Sequence, residues 1–244
     1  FGNLNVDDFY LRKKTLNPVL TPKDGLAEVF YNISSWYFTK NLYKYAAFFG
    51  EISLKFRPNF SAMRLLLVGI YEKLNYLELA LDRMNNLDRN NIYFYKFLKM
   101  KLSIFDQLEM KKEAIEELKN LTKLYPNNPK IIVLLADRLR ANKSFVEAIK
   151  HYSDLLKLTN KSERWGIFYS RGIAYEQSGQ WKEGEKDLLT ALELNPKDPY
   201  ILNYLGYSWL DRNKNIKKAL GLLETAVEIE PGDAYIVDSL GWAY

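Results

Sequence analysis

Apolar residues along this chain fall at helical spacing, interrupted by short polar breaks. Between Pro199 and Asp233, Leu202, Leu205, Gly206 and Trp209 follow at steps of three, one and three, which is one face of a helix with 3.6 residues per turn. After the polar break at 211–215, Ile216, Ala219, Leu220, Leu223, Ala226 and Val227 repeat the pattern until Pro231-Gly232 stops it. Two amphipathic helices joined by a tight turn form a helical hairpin. The hairpin recurs upstream, where Phe168, Gly172 and Tyr175 lead to Gly184, Leu188, Ala191 and Pro196, and a further copy opens with Leu240 and Gly241. Read this way, the chain divides into units at 27–60, 61–94, 95–128, 129–164, 165–198 and 199–233, with a partial unit at 234–244. Residues 1–26 stand apart. Asn3 to Leu16 reads as the end of an earlier helix, and Pro18, Pro22 and Gly25 as a linker.

Glycine inside a helix costs roughly 1 kcal/mol relative to alanine. Gly172, Gly206 and Gly241 share one register, so each is expected where a neighbouring helix comes too close for a side chain. Ala219 and Ala226 supply the same clearance from the other helix. In the first three units the equivalent small position holds Ser34, Val68 and Leu102, and in the fifth unit Arg171 stands where an apolar residue is usual. The period near 34, the small-x-x-aromatic step, the alanines and the closing proline together resemble the tetratricopeptide repeat. The wording LNYLGYSW followed by DSLGWAY is similar to a group of proteobacterial proteins of that family. The resemblance implies an all-α fold, a right-handed α-α superhelix acting as a protein-binding solenoid. It favours the periplasm or cell envelope as location, with the cytoplasm as the alternative.

Composition adds few constraints. At 48% hydrophobic and 27% charged residues, the chain is that of an ordinary folded domain, and it has no cysteine, which removes disulfides and thiolate metal sites. The chain opens at Phe1 without a methionine and closes inside a helical pattern, which reads as an internal piece of a longer protein. Charge is asymmetric: residues 1–150 carry 24 Lys/Arg against 16 Asp/Glu, and residues 151–244 carry 11 against 14. A basic outer helix face accounts for this, as does an acidic partner or a membrane surface met by the first half.

The residues offer no catalytic set, so the chain reads as a non-enzyme. His151 is the only histidine, and no metal-binding, nucleotide-binding or dinucleotide-binding pattern is present; neither a cofactor nor a metal is expected. Neighbouring acids such as Glu116 and Glu117 lie among lysines, as on a solvated helix face. Binding remains. In stacked hairpins the first helices line the inner surface, and the face of those helices not used in packing presents Tyr169 and Ile173, then Tyr200, Asn203, Tyr207 and Asp211, then Tyr235, Asp238 and Trp242. Tyrosine and tryptophan bury large areas while keeping a polar tip, which suits a protein partner, with a peptide or partner helix lying along the concave groove. Packing between neighbouring units is the other use of those aromatics. The carboxylate clamp of chaperone-binding relatives needs Lys and Asn, whereas the matching places hold Lys99 and Ser103, then Val133 and Asp137; that clamp is not expected. Two further readings stay open. One is a single-stranded RNA-binding helical repeat, although Leu65, Lys99, Val133 and Tyr169 show no repeated polar pair. The other is the scaffold arm of a larger enzyme or envelope assembly. The unpaired last helix leads to the expectation that further chain or a partner covers Val237, Leu240 and Gly241.

Overall fold

A computed structural model describes residues 21–85 and 92–244. The helix end expected at Asn3 to Leu16, and Leu87 of the second unit, lie outside the described residues. Every regular element among the described residues is helical. The chain forms two compact units, Phe1–Met110 and Lys111–Tyr244. Unit 1 holds α1 (Pro22–Thr39), α2 (Tyr43–Phe56), α3 (Ser61–Lys73), α4 (Leu77–Arg83) and α5 (Phe94–Gln107). Unit 2 holds α6 (Lys111–Leu124), α7 (Pro129–Ala141), α8 (Phe145–Leu158), α9 (Trp165–Gln177), α10 (Trp181–Leu194), α11 (Pro199–Asp211), α12 (Ile216–Ile229) and α13 (Ala234–Ala243).

One local device sets the hairpins. Asn41, Asn75, Glu109, Lys143, Gly179 and Asn213 all have positive φ, at intervals of 34 residues with one interval of 36. Each sits just past the end of a first helix. The next amide closes the turn by donating back to the carbonyl five residues earlier, as in Tyr76 N to Tyr71 O at 2.8 Å and Lys214 N to Trp209 O at 2.8 Å. This left-handed cap satisfies the orphan carbonyls and reverses the chain into the second helix. The longer interval contains the 3-10 turn Lys161–Glu163.

Helix starts are equally legible in the side chains. Asn128, Asp198 and Asp233 each accept from the amides two and three residues on, the usual N-cap arrangement. Pro22 and Gly25, which read as linker, lie instead inside α1. Thr21 and Asp24 form a reciprocal capping box there, and proline is tolerated in a first turn because its missing N–H has no helical partner in any case.

Small residues control how closely helices pack. Ala46, Ala80, Ala114 and Ala148 are fully or almost fully buried at intervals of 34, with Gly184 and Ala219 continuing the register in unit 2. A Cβ on Gly172 would stand 3.1 Å from the Gly184 carbonyl oxygen, and one on Gly206 would stand 3.0 Å from that of Ala219. Close backbone approach therefore explains those two glycines. Gly241 departs from the expectation: it is exposed, with nothing within 4 Å of a Cβ, and no second helix follows α13 among the described residues. Ser34 fits the tight register by donating to the Ala46 carbonyl at 2.7 Å, and Ser53 donates to that of Ala27 at 2.7 Å. Val68 and Leu102 are both buried, Val68 within the core cluster of unit 1.

Arg171 has its own compensation. Its guanidinium meets the nearly buried Asp187 in a two-pronged ion pair at 2.6 and 2.9 Å, and donates to Ser153 Oγ at 2.9 Å. Phe168 and Tyr175 flank the cation. Burial works against the charged form, but Asp187 outweighs it and raises the Arg171 pKa. A polar clamp thus ties α8, α9 and α10 where an apolar residue was expected.

Candidate functional site

The residues expected to meet a partner lie on α9, α11 and α13 of unit 2. Their placement separates into a rim and a floor. Tyr200, Tyr207, Asp211, Tyr235, Asp238 and Trp242 are exposed, and Tyr169 is half-buried. Ile173 and Asn203, placed on the same exposed stripe by sequence, are instead buried. At about 100° per residue, Asn203 points only about 60° from the Gly206 packing line, whereas Tyr207 and Tyr200 point about 100–120° away. Ile173 holds the register of Tyr207, but its short aliphatic side chain does not reach the rim that a phenol reaches.

Aromatic contacts tie the helices together along this face. Tyr169 meets Tyr204 edge-on at 6.0 Å, and Tyr207 meets Trp242 at 5.2 Å. The Tyr204 hydroxyl donates to Glu176 at 3.0 Å, and Arg212 holds the other Glu176 oxygen at 2.6 Å while lying over the Trp181 ring at 4.3 Å. Tyr200 donates to Asp233 at 3.2 Å. Burial, and then the neighbouring Tyr235 and Asp198, push the Tyr169 phenol up to about 12. Burial followed by Glu176 raises Tyr204 further. Both remain neutral hydroxyls at any physiological pH, so they contribute surface and hydrogen bonds rather than charge.

Asn203 is the distinctive group. Its side chain is 1% exposed, and neither amide atom finds a hydrogen-bond partner among the described residues. A buried primary amide left open costs about 1–3 kcal/mol, a cost this position retains beneath the tyrosine rim.

The face extends further up unit 2 than sequence reasoning took it. Val133, Asp137, Gly166 and Ser170 line a hollow of about 370 Å³ with Tyr152 and Trp165. Tyr152 donates to Asp137 at 2.6 Å and receives Arg140 at 3.3 Å. Val133 and Asp137 hold the register of Asn203 and Tyr207 two units earlier, so the signal was in the periodicity. His151 is half-buried on α8, where burial lowers its pKa against the pull of Asp154. Among the described residues, no group of three or more His, Cys, Asp and Glu side chains gathers as a metal site would require. No described helix is long and apolar enough to cross a membrane.

Comparison with known proteins places this geometry. Residues 169–234 match the tetratricopeptide repeat family. A TPR repeat-containing protein of Methanocaldococcus jannaschii is 28% identical over 138 residues, 57% of this chain, and the chain spans 21% of that relative's length. Among solved structures, the C-terminal part of a TPR repeat-containing protein from Cytophaga hutchinsonii aligns over 87% of this chain and 84% of its own, at 16% identity and a TM-score of 0.62. YrrB, a TPR protein with an unusual peptide-binding site, aligns over 72% of this chain and 89% of its own, at 16% identity and a TM-score of 0.53. At such identities the solved structures establish the fold: all-α, a solenoid of tetratricopeptide-type hairpins.

Proposed function

We propose that this chain of tetratricopeptide repeats is a non-catalytic scaffold, and that the α9–α11–α13 face holds an extended peptide of a partner protein. The observation that carries the proposal is the rim of exposed aromatics, Tyr200, Tyr207, Tyr235 and Trp242; the unpaired Asn203 amide on the same helix face is buried, so a peptide reaches it by displacing the side chains around it. A primary amide presents one donor side and one acceptor side in a plane, which matches the N–H and C=O of a single residue in an extended strand. A bound helix would offer no such pair from its middle, because its backbone groups are already internally bonded. Tyr200, Tyr207, Tyr235 and Trp242 would then close over the peptide's side chains, excluding water from the amide contact. The peptide-binding role of YrrB supports the reading by analogy of fold.

A phage-displayed library of linear 12-residue peptides, selected on the 244-residue chain, supplies a probe for fluorescence anisotropy. Tyr207→Ala with Trp242→Ala is expected to weaken the selected peptide by more than tenfold while far-UV circular dichroism stays unchanged, since both side chains are exposed. Asn203→Leu should abolish binding yet stabilise the chain, by up to about 1–3 kcal/mol, because it removes the open amide. Unchanged peptide affinity in both variants would remove the proposal.

A further inference from the structure

A second surface lies wholly within unit 1, on the side of the α1–α2 hairpin opposite α3. Towards α3, Gly50 receives Met63 and Leu67, and Ala27, Tyr31, Ser34 and Ala46 are buried. On the opposite side, aromatic rings run along the seam between α1 and α2. Phe30 stacks on Phe56 at 5.7 Å and 2°, and Tyr37 stacks on Phe49 at 5.4 Å and 5°. Those four rings are half-buried and form a floor. One position further round each helix the side chains are exposed: Val29 and Trp36 on α1 are 52% and 55% exposed, and Phe48 on α2 is 61% exposed, with Trp36 edge-on to Tyr37 at 5.0 Å and Phe48 edge-on to Phe49 at 5.3 Å. Floor and walls make a channel between two antiparallel helices, a shape that admits one further helix.

Charge on this hairpin is one-sided. Lys23, Lys40, Lys44 and Lys55 are exposed and form no ion pair among the described residues. The acids turn elsewhere: Asp24 and Glu28 go to Arg57 at 3.7 and 3.5 Å, and Glu51 goes to Arg83 at 2.9 Å. The result is an apolar channel with a positive rim, in the half of the chain that carries the surplus of basic residues.

We propose that the α1–α2 channel docks an amphipathic helix of another protein, apolar on its inner face and lined with Asp and Glu along its flanks. Charge complementarity selects this occupant. A second copy of the chain would bring two lysine rims together. A lipid surface would meet only the projecting Val29, Trp36 and Phe48 and leave the half-buried Phe30, Tyr37, Phe49 and Phe56 rings unmet between the helices, whereas a helix reaches both. The proposal is independent of the α9–α11–α13 face.

The probe is a fluorescein-labelled helical peptide of about 18 residues with leucines at i, i+3, i+4 and i+7 and glutamates on both flanks, together with a twin carrying lysines instead. The full 244-residue chain is expected to bind the glutamate peptide at least about tenfold more tightly than its twin. Trp36→Ala with Phe48→Ala should weaken that binding by about tenfold or more, with circular dichroism unchanged because both residues are mostly solvent-facing. Lys40→Glu, Lys44→Glu and Lys55→Glu together should reverse the preference between the peptides. Equal affinity for both peptides, no binding, or indifference to Trp36→Ala/Phe48→Ala overturns the proposal. So does a concentration-dependent dimer, or co-sedimentation with phosphatidylserine vesicles, that the same two substitutions abolish; the first outcome would give the channel to a second copy and the second to a membrane.

Discussion

Gly206→Ala measures directly whether close helix approach explains the recurring glycines. Two effects oppose each other at this position. Alanine is favoured over glycine in a helix interior by about 1 kcal/mol. Against that, the new Cβ would stand 3.0 Å from the Ala219 carbonyl oxygen, 3.0 Å from Leu223 Cγ and 3.2 Å from Leu223 Cδ2. The leucine side chain can rotate away, but the carbonyl is fixed by its own helix, so the overpacking cost of about 1–3 kcal/mol applies. The net expectation is between no change and about 2 kcal/mol of destabilisation. Gly221→Ala, on α12 of the same hairpin, has nothing within 4 Å of its Cβ and carries the propensity gain alone. Subtracting one variant from the other cancels propensity and leaves the clash, about 1–3 kcal/mol. Native-state hydrogen exchange of the α11 and α12 amides is the appropriate assay, because a single global midpoint averages over weakly coupled repeats. If Gly206→Ala protects those amides as much as Gly221→Ala does, close approach is not the reason for the glycine.

Two further predictions concern buried polar groups. Arg171→Ala leaves Asp187, 4% exposed, without its counter-charge and should cost about 3–5 kcal/mol, whereas Arg171→Leu combined with Asp187→Leu should be close to neutral or stabilising; thermal unfolding of the two variants checks the contrast. The chain should also be sensitive to alkali. Tyr169 is held up to about 12, against an ordinary value of 10.0, chiefly by burial, and Tyr204 is raised by burial and Glu176. Between those values the unfolded chain has released phenolic protons that the folded chain retains. Stability is therefore complete below about pH 10 and falls as pH rises through about 12. Titration at 295 nm against far-UV circular dichroism should show these two phenols ionising only as helix is lost, and Tyr169→Phe/Tyr204→Phe should shrink that upper step without abolishing it, because burial also raises Tyr71 and Tyr152. Loss of their signal from the step near pH 10, with helix intact, would count against the assignment.

The repeat was legible because its constraints are local. Hydrophobic spacing identified the helices, and the glycine and alanine registers identified where they touch, since both follow from side-chain size at fixed intervals. The turn caps were harder to see: Glu109 and Lys143 adopt the left-handed conformation that favours Gly and Asn, and only the backbone reveals it. Pro22 and Gly25 misled because the same residues serve in a linker and in a first helical turn; Thr21 and Asp24 decide between the two. The candidate site was legible as a register and not as a surface. Periodicity placed Asn203 and Ile173 beside Tyr207, but whether a side chain reaches solvent depends on its length and on the bulk of neighbours from other helices. The aromatic channel on α1 and α2 was missed altogether. Only the geometry separates half-buried floor from exposed wall.

The treatment of buried polar groups elsewhere in the chain is what gives Asn203 its meaning. Ser34 and Ser53 close onto backbone carbonyls across the α1–α2 contact, and Asp187 is held by both prongs of Arg171. Each satisfies the hydrogen-bonding capacity that burial would otherwise penalise. Trp181 Nε1 is another open donor, but it carries a single hydrogen, and its ring is engaged face-on by Arg212. Asn203 leaves both a donor and an acceptor open, within a rim of exposed tyrosines. Leucine at that position would fill a similar volume without the penalty, so packing alone gives no reason for an amide. The two unpaired halves of this amide match one peptide unit, which makes the α11 face the place to test for the proposed peptide.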